Sequence, residues 1–187
     1  MNTTYAYFTA TAAKNESTTT TATIKISLSN FNSSGYTTVT SGDNTINYIL
    51  PGDTLTVGGT LTNSGSSPCY AIIEFSVIVQ KEGSEEKEVA TKEYYTFVNT
   101  GNNAYTKTEI TGTKDNYSTN ADIILKDGTR DFTFTYTFTG ADYNNDYENA
   151  SATFAVRAHA IQTENLAETE TEAAKEATNL LMEKLSK

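Results

Sequence analysis

A single cysteine, Cys69, stands in the 187 residues, so no internal disulfide can form and a cysteine-based structural zinc site lacks its ligands. The fold has to stand on packing alone. Histidine is equally scarce. With His159 as the sole example, the His-Glu-x-x-His helix of zinc proteases is not in the chain. Tryptophan is absent, and the apolar fraction is 37%, so the core must come from Val, Ile, Leu, Phe and twelve Tyr. Positive charge is the minority: 13 Lys and Arg against 23 Asp and Glu give a net charge of −10. That balance disfavours nucleic acid and anionic lipid surfaces as partners. No apolar run approaches the roughly 20 residues that cross a bilayer, so no membrane span is expected. The opening Met1-Asn2-Thr3-Thr4-Tyr5 has neither the basic nor the apolar region of a signal peptide, so the chain is expected to be cytosolic or already trimmed of a leader.

What is abundant is Thr, Asn and Ser, which suit solvent-facing strand positions and polar turns. Period-2 alternation dominates. Ile24, Ile26 and Leu28 alternate with polar residues, and Leu55, Val57 and Leu61 supply one face of the run after Pro51-Gly52-Asp53. In that turn Pro51 presets φ and Gly52 tolerates a positive one. Gly58-Gly59 reads as a bulge. From Cys69 to Gln80, Ala71, Ile73, Phe75, Val77 and Val79 fall on one face of the strongest strand in the chain. A charged hairpin around Gly83 returns it as Val89 to Val98. The segment 99–128 is polar, with Ile110 and Ile123-Ile124-Leu125 as anchors, and reads as an insertion or long loop with short edge strands. Phe132, Phe134, Tyr136 and Phe138 then alternate with Thr. Ala152, Phe154, Val156, Ala158 and Ala160 share a phase in the last strand. From about Thr163 the period turns helical, with Leu166, Ala173, Ala177, Leu180, Leu181 and Leu185 on one stripe.

The fold class is therefore all-β: an antiparallel β-sandwich, jelly-roll-like, with a C-terminal α-helix. Residues 1–13 form an N-terminal segment, 14–162 the sandwich with its insertion at 99–128, and 163–187 the amphipathic helix.

Chemistry-bearing groups are few. His159 lies on a strand with no partner nearby in sequence. A nucleophilic pair with Cys69 is formally open, although no local signature surrounds the thiol. The acidic turn Asp142, Asn144, Asp146 and Glu148 places oxygens at alternating positions, but lacks the glycine of an EF-hand. It is at most an irregular calcium site, and otherwise a solvated turn. No other cofactor is expected. Thr ladders such as Thr133, Thr135, Thr137 and Thr139 suit either an ordinary exposed sheet face or one that contacts glycan or ice. Tyr5-Ala6-Tyr7-Phe8-Thr9-Ala10-Thr11 is a short aromatic strand set apart by a polar linker. Such a strand can pair at home, or it can be donated to the sheet of a neighbouring copy.

Three pieces arrive in a familiar order: Ala6-Tyr7-Phe8-Thr9; Pro51-Gly52-Asp53-Thr54-Leu55 leading to Leu61-Thr62-Asn63-Ser64-Gly65; and Val156-Arg157-Ala158-His159-Ala160-Ile161-Gln162-Thr163-Glu164-Asn165. Together they span nearly the whole chain, which resembles the TasA/camelysin family of secreted bacterial biofilm-matrix fibre proteins. The resemblance implies a jelly-roll-like sandwich, a leader cleaved just before the Ala6-Tyr7-Phe8 region with Met1 in its place, and assembly by N-terminal strand exchange. Family members have also been classed as metallopeptidases, but no metal motif here carries that over. The 99–128 segment and the C-terminal helix depart from the compact members of the family.

The expectation is a non-enzymatic structural protein, secreted to the cell surface or biofilm matrix, whose partner is itself. Tyr5, Tyr7, Phe8 and Thr9 would form the donor strand. Two alternatives stay open. One is a surface adhesion module recognising glycan or protein, including other matrix components, through Asn102 to Tyr117 and Tyr143 to Tyr147. The other is a camelysin-like metallopeptidase.

Overall fold

The computed structural model describes residues 26–35, 37–41, 44–147, 149–163 and 166–185, with 37–41, 44–48 and 145 described by backbone alone. In chain order the strands are β1 (Ile26–Ser34), β2 (Thr37–Ser41), β3 (Asn44–Tyr48), β4 (Thr54–Asn63), β5 (Cys69–Gln80) and β6 (Glu88–Gly101). There follow β7 (Ala104–Glu109), β8 (Gly112–Thr113), β9 (Asn116–Tyr117), β10 (Asp122–Ile124), β11 (Thr129–Thr137) and β12 (Ser151–Gln162). A short 3-10 turn at Asn145–Tyr147 precedes β12, and α1 (Glu170–Leu185) closes the described chain.

All pairings are antiparallel, as the alternating patterns require when one face of each strand is buried. Besides the two-stranded pairs β2-β3 and β8-β9 there are two larger sheets, and one of them has the order β1-β4-β11. In the other, β12 runs along one side of β5 from Gln162 opposite Cys69 to Ser151 opposite Gln80. β6 and β10 share the far side of β5, at Ile73–Val79 and Cys69–Ala71 respectively, and β7 extends the sheet beyond β6. The sheets pack face to face. Phe75 of β5 stacks on Phe134 of β11 with centroids 4.6 Å apart, and Phe132, Phe138, Phe154 and Tyr143 extend the aromatic layer. Each buried Phe contributes about 1.5–3 kcal/mol, which is why the Phe-Thr alternation of β11 overrides any other preference of that segment.

The expected Pro-Gly-Asp turn is present. Gly52 has φ 100°, the Asp53 amide donates to the Leu50 carbonyl at 2.9 Å, and Asp53 Oδ2 accepts from the Leu50 amide at 2.9 Å. The bulge sits elsewhere than expected. Asn30 and Phe31 of β1 together face Gly59, between the Ser29–Thr60 and Asn32–Gly58 pairs, while β4 pairs regularly with β11. β4 is bonded on both sides, so the extra residue falls on its neighbour, where Asn30 takes a left-handed φ of 53°.

Segment 99–128 holds short strands: β6 runs on to Gly101, β7 pairs beyond it, β10 pairs with β5 and β8 with β9, while Ile110, Ala121 and Ile124 are buried and Leu125 is 63% exposed. One further expectation is corrected. The helix starts at Glu170, not near Thr163. Thr169 caps it, its hydroxyl oxygen accepting from the Glu172 amide at 3.3 Å and donating to the Glu172 carboxylate at 3.0 Å. Leu166 thus precedes the helix, and Leu180 is 39% exposed.

α1 makes a third layer. Ala173, Ala177 and Leu181 pack on Tyr70 and Ile72, the outer face of β5, which explains why that strand is buried on both faces at its start. Two buried polar side chains fasten it. Thr178 Oγ1 accepts from the Ala121 amide at 2.8 Å. Asn179 both accepts from the Asp115 amide at 3.0 Å and donates to its carboxylate at 2.7 Å.

Candidate functional site

The expected donor residues Tyr5, Tyr7, Phe8 and Thr9 lie outside the described residues, as does Glu148 of the acidic turn. Asp142 accepts from the Thr139 hydroxyl, and Asn144 Oδ1 accepts from the Asp146 amide at 2.9 Å. These oxygens are engaged in capping the local turns. Among the described residues no group of three or more His, Cys, Asp or Glu is placed to hold a metal ion.

Cys69 and His159 do not meet. Cys69 belongs to the inner face of β5, within the core between the sheets, and burial pushes its thiol up to about 11. His159 is buried on the helix-side face, opposite Ile72. Residues projecting from opposite faces of one sheet cannot share a proton, so the nucleophilic pair left open by the sequence is not assembled.

The tyrosines of the two nominated binding loops are also committed. Tyr143 is buried and its hydroxyl lies 2.6 Å from that of Tyr136, burial raising its pKa first and that hydrogen bond second. Tyr147 donates to Glu88 at 2.9 Å, and the Lys81 ammonium lies 4.4 Å from its ring centroid. In the other loop, Tyr105 underlies Arg130 and Tyr117 packs in the helix-side cluster.

What the chain does assemble is a charged seam where β7 and β11 meet, at one side of the sandwich. Arg130 is buried, its Nε and one terminal nitrogen donating to Asp122 Oδ2 at 3.0 and 2.8 Å. Two further donors reach the Thr129 and Ile123 carbonyls, and the guanidinium carbon lies 3.3 Å over the Tyr105 ring. Burial raises the Asp122 carboxyl, and the Arg130 hydrogen bonds oppose that shift. Lys107 projects inward from β7, opposite Phe97, with its ammonium 4.0 Å from the Tyr95 centroid and 4.2 Å from that of Phe134. Burial lowers its pKa, and the Glu93 and Glu109 carboxylates hold against that. Glu93 in turn accepts from the hydroxyls of Tyr95 and, at 2.8 Å, Thr91.

Neither cation was singled out in the sequence, yet a signal existed for both. Arg130 shares the phase of Phe132, Phe134 and Tyr136, and Lys107 shares the phase of Tyr105. The opposite face of the three-stranded sheet is a polar lattice. Thr129, Asp131, Thr133, Thr135 and Thr137 of β11 stand beside Thr62, Thr60, Gly58, Thr56 and Thr54 of β4.

Among the described residues no helix is long and apolar enough to cross a membrane. Comparison with protein-family models, curated proteins and solved structures finds no match.

Proposed function

We propose that this chain is a secreted structural protein that self-assembles into extracellular matrix fibres, residues 5–11 of one copy adding a strand to a sheet of the next. The observation that carries this reading is the architecture: among the described residues, two larger antiparallel sheets that end in strands rather than closing into a barrel. An end strand offers main-chain donors and acceptors along its length, and an incoming strand of alternating residues fills side-chain positions on the inner face. The resemblance of the three quoted segments to TasA/camelysin proteins supports it. So does the turn at Pro51-Gly52-Asp53, with the geometry its residues call for. A head-to-tail addition of this kind does not close on itself, so it propagates as a filament.

The test is size-exclusion chromatography with light scattering, then negative-stain microscopy, on the full chain, a version lacking residues 1–13, and Phe8→Asp. Concentration-dependent filaments from the full chain alone are expected, with both variants folded and monomeric. Filaments from the Phe8→Asp chain would remove that side chain as the anchor. Monomers throughout, at varied salt and calcium, would remove the fibre reading.

A second reading rests on the polar lattice of β4 and β11: a surface module contacting glycan through hydroxyls. It predicts a stable monomer whose melting temperature rises with a saccharide ligand.

A further inference from the structure

We infer that Lys107 is a gatekeeper: it keeps the β7/β11 side of the sandwich from accepting a strand, so that only the side bounded by β1 and β12 is competent for strand addition. The inference rests on the assembly reading for its biological meaning. The seam itself is defined by described residues.

An end strand invites pairing with another chain, and proteins blunt such ends with charged side chains, an inward-pointing lysine among the most effective. Among the described residues β7 and β11 end their respective sheets, and they lie across from one another. Arg130 of β11 covers Tyr105 of β7, and Lys107 of β7 touches Phe134 of β11. Arg130 is already buried and makes four hydrogen bonds to Asp122, Thr129 and Ile123, so an added strand would cost it little. Lys107 differs. It is half-buried, its ammonium lies against two ring faces, and among the described residues no carboxylate comes within ion-pair distance, Glu93 and Glu109 acting on it only from farther off.

A strand joined to β7 would set a side chain directly beside Lys107. A strand joined to β11 would set one beside Phe134, the ring on which the ammonium rests. In both cases the ammonium loses the water that still reaches it and gains no anion in exchange, a penalty that main-chain hydrogen bonds do not recover. One cation thus guards the ends of two sheets. The β12 strand carries no lysine, and its inward positions Ala152, Phe154, Val156, Ala158 and Ala160 are all apolar. Growth confined to one side gives unbranched filaments, whereas two competent sides would give branched or sheet-like aggregates.

The experiment compares the full chain with Lys107→Met and Lys107→Arg across a concentration series, by light scattering and negative-stain microscopy. Near-ultraviolet circular dichroism checks that each is folded. Lys107→Gln replaces the Met variant if that one is not. The neutral variant is expected to associate at a concentration about tenfold lower, equivalent to ~1.4 kcal/mol, and to form branched or sheet-like objects. Lys107→Arg keeps the cation and should match the parent chain. If the parent forms filaments and the neutral variant forms the same ones at the same concentration, the gatekeeper inference fails while the fibre reading stands. If only the neutral variant associates, the inference stands and the fibre reading fails. Association by neither overturns both.

Discussion

Cys69 shows how a single position inherits its chemistry from the sheet. It enters β5 after Pro68 with its side chain between the two sheets, where the thiolate has no water and burial outweighs the opposing pull of Arg130. Reagent should therefore find it unreactive: labelling by a disulfide dye at pH 8 is expected to be at least tenfold slower in the native chain than in denaturant. The same shift has a pH consequence. The folded thiol holds its proton to about 11 against a reference of 9.0, so the folded state binds more protons in that window. Stability contributed by the protonated thiol is whole below pH 9 and is lost as pH rises towards 11. Denaturant midpoints of the parent and Cys69→Ala chains from pH 8 to 11 check this, because the parent should fall more steeply. Arg130 is a different case. Its two hydrogen bonds to the one Asp122 oxygen and its place over Tyr105 satisfy a charge that would otherwise be costly to bury, so the ion pair is a condition of the seam rather than a net source of stability.

At the scale of the element, β4 explains the neighbours it has. It is the central strand of its sheet, and its two consecutive glycines do different jobs. A Cβ at Gly59 would come within 2.6 Å of the Phe132 ring and 3.2 Å of the Ser29 carbonyl oxygen, which are fixed by the core and the backbone. A Cβ at Gly58 would meet the Asn32 side-chain amide at 2.8 Å, and that exposed amide can swing aside. Gly59→Ala is accordingly expected to cost about 1–3 kcal/mol and Gly58→Ala less than about 1. Urea unfolding of the two variants distinguishes them, and equal losses would mean that the strand lacks backbone freedom for both. The helix follows a related logic at its own scale. Its seam is mostly alanine, so its axis lies close to β5, and the Thr178 and Asn179 side chains fix its register on the 112–121 segment.

For the whole molecule, the net charge of −10 opposes any association between copies. Screening weakens that repulsion, since the Debye length falls from roughly 30 Å at 0.01 M salt to about 8 Å at 0.15 M. Assembly followed by light scattering should therefore start sooner as salt is raised over that range. Slower assembly at higher salt would indicate instead that copies meet through opposite charges.

The sequence by itself determined the class of fold, the Pro51-Gly52-Asp53 turn, most strand positions and the presence of a C-terminal helix, though not its capped start at Thr169. Each of these is written locally: in the phase of apolar residues, or in a φ-restricted proline beside a permissive glycine. Only tertiary structure decided where the bulge falls, because that depends on which strand is bonded on both sides. It also decided that Cys69 and His159 face apart across β5 and β12. The burial of both faces of β5 depended on α1 arriving from about a hundred residues downstream, which no local pattern encodes. The placement of Lys107 against Phe134 depended likewise on two sheets ending at the same side. Such pairings are long-range, and their energies belong to the packed sandwich rather than to any segment of the chain.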